Sequence, residues 1–444
     1  MASPGEDTPR RRALRLLGAG AVTLASGCLG PLRSRSRAER ASADADGPSN
    51  RIPDDPDAAA TESATTGAGT TEGETTGAEP TAGGAERREL RGVRGAVYFP
   101  HRAFNHVQTW ANYDPERVDR DVGFAAELGL DAVRVLASYE YWRREPAAFA
   151  RRFDHFLGAA GERGVRVLPV LFESIGEQPT SANAGREVPL KSPAGAVVRD
   201  ADRWDGPEAF VRWVAGRYGD RPELLALEVM NEPGTWIQRV EFVRAMLRAA
   251  RDAHESVPLT VGCKTLANNE QYRDPALDAF QFHYNLPPTA AKMRAALAEA
   301  TRLSRESGTP VWLTEWQRTL EEPPGRMRPN YASLGETIRE SGVDGDFFWQ
   351  LMLNPAYNLP VRRRGRVNGL FTPEGGVYSA ADARALSADG SDEVDGGDES
   401  DGSDDADGGD VAASTGDTRG DVDWSTREER PAWVRDVGRE VETD

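Results

Sequence analysis

The chain has 444 residues, a formal charge of −18, and 28% charged against 39% hydrophobic residues. So strong a negative field argues against nucleic acid or an anionic membrane surface as a partner. Only three of its 54 basic residues are lysine (Lys191, Lys264, Lys292). That balance resembles proteins of salt-loving archaea, where ions screen self-repulsion, although high-GC codon usage produces it too.

The first element is an export signal over residues 1–28. Arg10-Arg11-Arg12 precedes a short apolar run from Leu16 to Ala25, too short to cross a bilayer core of roughly 30 Å. Arg11-Arg12-x-Leu resembles a twin-arginine signal, and Leu24-Ala25-Ser26-Gly27-Cys28 resembles a lipobox, with Cys28 as the lipidated residue. The expected location is therefore outside the cell or on its surface, with membrane attachment only through Cys28. Between Ala41 and Ala85 the only large apolar side chain is Ile52, so residues 29–88 read as a disordered tether. Cys28 and Cys263 show no spacing that suggests a disulfide or zinc, and Cys263 reads as a small buried apolar residue.

From residue 89 to 386 short β-branched runs alternate with amphipathic stretches, the signature of βα units around a parallel sheet. Strands are expected at 93–98, 132–136, 165–172, 224–230, 259–263, 279–284, 311–314 and 346–350. Asp114-Pro115 is an N-cap and N1 pair, Val118, Val122, Ala125 and Leu128 follow at helical spacing, and Gly129 ends that helix. Eight strands with helices between them fit an α/β fold closed as a (β/α)8 TIM barrel, with one domain of about 300 residues. Residues 387–426 form an acidic low-complexity segment; from Gly390 to Asp410 ten of twenty-one residues are acidic and none is basic. Residues 427–444 regain helical spacing at Trp433, Val434, Val437 and Val441, and read either as a final helix that docks on the barrel or as a free tail beyond a fold that ends near Leu386.

Active sites of such barrels lie where the strands end. Those ends carry Arg134, Asn231-Glu232-Pro233, His283-Tyr284, Glu315-Trp316 and Trp349. Each alone has a structural explanation, such as a buried ion pair for Arg134 or core packing for Trp349. Their recurrence at one end of successive strands favours a site.

Asn-Glu-Pro after the fourth strand, a second glutamate after the seventh and tryptophan on the eighth resemble glycoside hydrolase clan A, family 5, of the cellulase and β-mannanase type. The resemblance implies a retaining enzyme with Glu232 as acid/base and Glu315 as nucleophile, acting on a β-1,4-glucan or β-1,4-mannan. It implies a pKa of Glu232 raised by Glu315 and partial burial. It further implies Arg134 beside the nucleophile, Asn231 on the sugar 2-hydroxyl, His283 or Tyr284 orienting the carboxylates, and Trp349 stacking on the sugar. Two departures stand out. Asn285 occupies the place of a tyrosine two residues after the histidine, and Phe172-Glu173 stand where a histidine is usual. His101, Asn105 and His106 after the first strand offer a substitute for that histidine. Tyr98, Trp110, Tyr113, Tyr139, Tyr141, Trp142, Trp204, Trp236 and Trp316 are candidates for a sugar-stacking rim, roughly half of them expected to be packing instead. No metal or organic cofactor is implied, and the oligomeric state is left open. A carbohydrate-binding lipoprotein without catalysis and a transglycosylase are the rival readings.

Overall fold

The computed structural model describes residues 89–273, 275–322, 326–387 and 422–438. The signal segment with Cys28, the tether, the acidic run 388–421 and the last six residues lie outside the described residues.

Eight parallel strands form the barrel: β1 Val93–Tyr98, β2 Ala132–Leu136, β3 Arg166–Glu173, β4 Leu227–Asn231, β5 Leu259–Gly262, β6 Phe280–Asn285, β7 Val311–Gln317 and β8 Gly345–Trp349. They are hydrogen-bonded in the order β5-β4-β3-β2-β1-β8-β7-β6. At the seam between β5 and β6, the Asp278 amide donates to the Leu259 carbonyl at 2.9 Å and Thr260 Oγ1 to the Ala279 carbonyl at 2.9 Å. The expected strand positions agree to within about three residues, because each strand is a short apolar run buried on both faces.

The interior is layered. Val93, Ala132, Leu168, Leu225, Ala279, Trp312 and Phe347 fill the lower layer. Gly95 sits among them because a Cβ there would lie 2.4 Å from the Phe347 ring. Val97, Leu136, Val170 and Trp349 form an upper layer with Phe99. Between these layers lies a polar floor, with Arg134 on β2 and Glu228 on β4 both buried.

The helix Pro115–Glu127 begins as expected, with the Asp114 side chain accepting from the Arg117 amide. Its buried side chains Val118, Val122 and Ala125 cover the sheet. The C-terminal segment does return to the barrel, but as two 3-10 turns, Trp424–Arg427 and Ala432–Arg435, in place of the helix expected from its spacing. Trp424 packs on Phe371 and donates to Ser387 Oγ at 3.0 Å, and Val434 and Val437 pack with Leu353 and Tyr378. Trp433 is half-buried, its ring 5.3 Å from His101 and 5.0 Å from the Arg102 guanidinium. No described helix is long and apolar enough to cross a membrane.

Candidate active site

The centre of the site is Arg134. Its Nε and Nη2 donate to the two oxygens of Glu228 at 2.7 and 2.6 Å, a fork-on-carboxylate pairing. Nη1 donates to Glu315 Oε1 at 2.9 Å and Nη2 also to Asn231 Oδ1 at 2.8 Å. Burial acts to strip the guanidinium of its charge, but Glu228 and Glu315 outweigh it and raise its pKa further. Glu228 has room for its carboxylate because Gly262, two residues beyond its register partner Thr260 on β5, carries no side chain. A Cβ on Gly262 would lie 2.1 Å from Glu228 Oε1.

Glu315 lies in the buried part of β7 and is 5% exposed. Its second oxygen accepts from Asn285 Nδ2 at 3.1 Å, and Asn285 is held in turn by Gln317 Nε2 at 3.0 Å. Asn285 therefore takes up the contact that the resemblance left without a tyrosine. Tyr284 points elsewhere: it pairs with Trp316 across the β6–β7 ladder and donates to neither carboxylate. His283 does the orienting, with Nδ1 2.9 Å from Glu232 Oε1 and 3.6 Å from Glu315 Oε2.

Glu232 follows β4 in a left-handed conformation, φ 41°. For a residue with a Cβ this is strained, by roughly 1–3 kcal/mol, and such strain concentrates at functional positions. Its amide donates to the Gly262 carbonyl at 2.7 Å and its carbonyl accepts from Ser174 Oγ at 2.6 Å, while Pro233 ends the ladder. The result turns the side chain inward toward Glu315. Glu232, His283 and Glu315 each present one atom such that all three lie within 4.8 Å of one another.

The electrostatics reverse one expectation. Burial works to raise the Glu232 carboxyl, but the hydrogen bond and charge of His283, then Lys264 and Arg134, outweigh it and hold it below the usual carboxylate range. Lys264 Nζ stands 3.7 Å from Glu232 Oε2. The expected upward push from Glu315 fails because His283 lies between the two acids and Arg134 and Asn285 already compensate Glu315. The raised acid is a different one. Glu173, at the end of β3, is 3% exposed, and burial pushes its carboxyl up to about 8. It accepts from the Ile175 amide at 2.7 Å and from Asn231 Nδ2 at 3.0 Å on both oxygens.

Asn231 is thus fixed between Arg134 and Glu173. Trp349 ends β8 in contact with Phe99 and Tyr357, ring centroids 5.8 and 5.7 Å away. The Tyr357 hydroxyl is buried without a hydrogen-bond partner, and the charges of Glu173 and Glu315 both act on it. Trp316 is 1% exposed, donates to Asp346 Oδ2 at 2.9 Å and packs on Tyr331 and Phe348, so it belongs to the core behind the strand and does not line the mouth. Trp236 is 51% exposed beside the mouth. Of the other rim aromatics Tyr98, Trp110, Tyr139 and Tyr141 are buried packing residues, and Tyr113, Trp142 and Trp204 are half-buried. The residues after β1 do not replace the missing histidine: His101 bonds the Leu353 carbonyl, Asn105 caps a helix, and His106 is buried against Ser138. Cys263 is fully buried, as expected.

Residues 96–351 match the sequence model of Cellulase (glycosyl hydrolase family 5). The chain belongs to glycosyl hydrolase family 5. All of the strand-end residues just described except Tyr357 lie within that match. No curated protein sequence matches. Among solved structures, the family 5 barrel is similar to an exo-β-1,4-mannosidase from Opitutaceae bacterium strain TAV5, with 19% identity and TM-score 0.52, covering 66% of this chain and 58% of that one. It is similar also to an endo-β-1,4-mannanase from Thermotoga petrophila (15% identity, TM-score 0.45, 60% and 69% covered). A third is a family 5 subfamily 18 protein from Streptomyces cattleya in complex with GlcNAc (18%, 0.48, 66% and 78%). The chain spans under two thirds of the first of these, and at such identities the likeness is one of fold.

Proposed function

We propose that this family 5 glycoside hydrolase cleaves β-1,4-linked mannan or glucan chains with retention of configuration. Glu315 is the nucleophile and Glu232 the acid/base. The observation that carries the reading is the approach of the two glutamates, with an oxygen of each within 4.8 Å of the other. So close an approach supports a double displacement, for which carboxyls lie about 5–5.5 Å apart, over an inverting mechanism, which needs roughly 6.5–9.5 Å to seat a water.

In the first half-reaction a Glu315 oxygen attacks the anomeric carbon, the glycosidic C–O bond breaks, and Glu232 gives its proton to the departing oxygen. In the second, Glu232 takes a proton from water, whose oxygen attacks the same carbon and expels Glu315. Glu232 is ionised in the open site and takes up its proton when a bound sugar excludes water, which strengthens the burial that already acts upward. Asn231, locked by Arg134 and Glu173, is the donor for the sugar 2-hydroxyl. The same residues would serve a transglycosylase, with a sugar in place of water. Export through residues 1–28 and lipid attachment at Cys28 belong to the same proposal, since an insoluble or polymeric substrate requires an enzyme outside the cell.

The test separates the two acids. With Glu315→Ala, turnover should vanish and azide should restore a glycosyl azide of inverted configuration. With Glu232→Ala, a dinitrophenyl glycoside, whose leaving group needs no proton, should lose far less rate than an alkyl glycoside. Equal responses of both variants would refute the assignment, and an acceptor sugar in the same assay separates transfer from hydrolysis.

A further inference from the structure

We infer that the cleft is closed on its glycone side, so that this protein removes single sugars from non-reducing ends and does not cut chains internally. The inference rests on the retaining reading above, which fixes direction. The leaving group departs on the side of its proton donor, Glu232 after β4, and the attacked ring extends the opposite way. In an eight-stranded barrel the strand opposite β4 is β8, with β1 beside it. Whatever stands over the ends of β8 and β1 therefore decides how many rings fit before the scissile bond.

Three loops close that side. The β3 loop is tied to the segment after β1 by Asn105 Nδ2, 3.2 Å from the Val188 carbonyl, and by Gln108 Nε2, 3.0 and 2.8 Å from the carbonyls of Ala184 and Arg186. Val107, Val188 and Leu190 bury themselves in the same junction. The β8 loop joins through Arg362, which is 5% exposed. Its Nη2 donates to the Glu187 carbonyl at 2.7 Å, its guanidinium lies 4.6 Å from the Phe104 ring, and the Glu187 carboxylate is 3.5 Å away. One buried cation thus clasps the loops after β1, β3 and β8. Removing a charge from water for this role is costly unless the contacts persist. Inside the clasp, Phe99, Trp349 and Tyr357 pack ring against ring, so the wall adjoins the attacked sugar directly. The unpartnered Tyr357 hydroxyl is a donor or acceptor for a hydroxyl of that one ring.

The other side is open. The large apolar side chains exposed among the described residues are Ile175, Trp236, Ile237, Leu286 and Leu320. They follow β3, β4, β6 and β7, which places all of them at the mouth and none after β1, β2 or β8. Apolar surface gathered there suits the faces of sugar rings in a departing chain.

The test compares dinitrophenyl β-glycosides of one sugar with β-1,4-linked triosides whose non-reducing 4-hydroxyl is methylated, in both the mannose and glucose series, on the full chain. A closed wall predicts hydrolysis of the one-ring substrate and a kcat/KM about 100-fold or more lower for the capped trioside, whose two outer rings have no place. Capped triosides hydrolysed as fast as the one-ring substrate, or faster, overturn the inference. If neither class is turned over, the catalytic reading fails and not merely the wall. Arg362→Ala, checked for folding by near-ultraviolet circular dichroism, should narrow the ratio about tenfold by loosening the clasp. A ratio unmoved in a folded variant would show that Arg362 does not hold the wall.

Discussion

The sharpest consequence of the site is that Arg134 and Glu228 depend on each other. Both are buried, at 2% and 0% exposure, and joined by two hydrogen bonds of 2.7 and 2.6 Å. Arg134→Met removes the cation and leaves Glu228 buried and without it. Breaking a buried pair from one side costs about 3–5 kcal/mol, whereas replacing both partners by apolar groups of similar volume is often near neutral. Arg134→Met should therefore lower unfolding free energy by about that amount, and Arg134→Met/Glu228→Leu should recover at least ~2 kcal/mol of it. Urea unfolding followed by tryptophan fluorescence measures both. Activity gives the second readout. The double variant should remain inactive, because Glu315 and Asn231 have lost the donor that positions them. A single variant within about 1 kcal/mol of the parent, or strict additivity of Arg134→Met and Glu228→Leu, would show that the pair is not coupled as the geometry requires.

Gly262→Ala should cut kcat by at least about tenfold with little change in affinity for a competitive inhibitor, since its methyl would displace Glu228 and, through it, Arg134; near-parental kcat would contradict this. Because His283 holds the Glu232 carboxyl low, His283→Asn should move the alkaline limb of the kcat/KM profile to higher pH; a shift downward, or none, would refute that cause. Glu173 is protonated in the fold at a pH where it ionises in the unfolded chain. Its contribution is full below its ordinary range near 4.5 and is lost as pH rises toward about 8, at up to about 1.4 kcal/mol per pH unit. Glu173→Gln should flatten that part of the stability–pH curve, and an unchanged slope would count against a neutral Glu173. Truncation after Ser387 should lower the melting temperature, because it removes the buried Trp424, Val434 and Val437; unchanged melting would show that the returning segment adds nothing.

The barrel was legible because strands buried on both faces read as apolar runs, and the paired glutamates because they interrupt those runs at strand ends. What remained hidden depends on direction more than on residue type. Trp316 follows Glu315 by one residue, and in a strand that is enough to turn it to the opposite face, into the core beside Tyr331. Tyr284 follows His283 in the same way. Glu228 was signalled only by a charge between Leu227 and Val229, and its partner lies 94 residues away in the sequence. Glu173 was noticed as a departure, yet its environment depends on Asn231, which stands on the neighbouring strand. The helical spacing near Trp433 marked a docking segment correctly but mistook its backbone, because Pro431 and Gly438 leave only a turn between them.

The neutral Glu173 also bears on catalysis. The floor of the site holds one cation, Arg134, between two carboxylates, Glu228 and Glu315. Glu228 takes two arms of the guanidinium and Glu315 a single one, so the Arg134 charge is drawn more to Glu228 and less of it offsets Glu315, the proposed nucleophile. A positive charge develops on the sugar in the transition state, and an anion held in place to meet it is worth most in a water-poor site. A third anion at Glu173 would lack a cation of its own, and the charge of Glu315 is among the causes that raise it. Kept protonated, Glu173 still accepts from Ile175 and Asn231 and so fixes the Asn231 amide. Ionised, it would pull harder on Asn231 and set two like charges on the same strand ends. Glu173 is buried at 3% exposure and reaches the site only through Asn231. Recognition of the sugar must then come from the other side of the ring, where Trp349 and the free hydroxyl of Tyr357 stand.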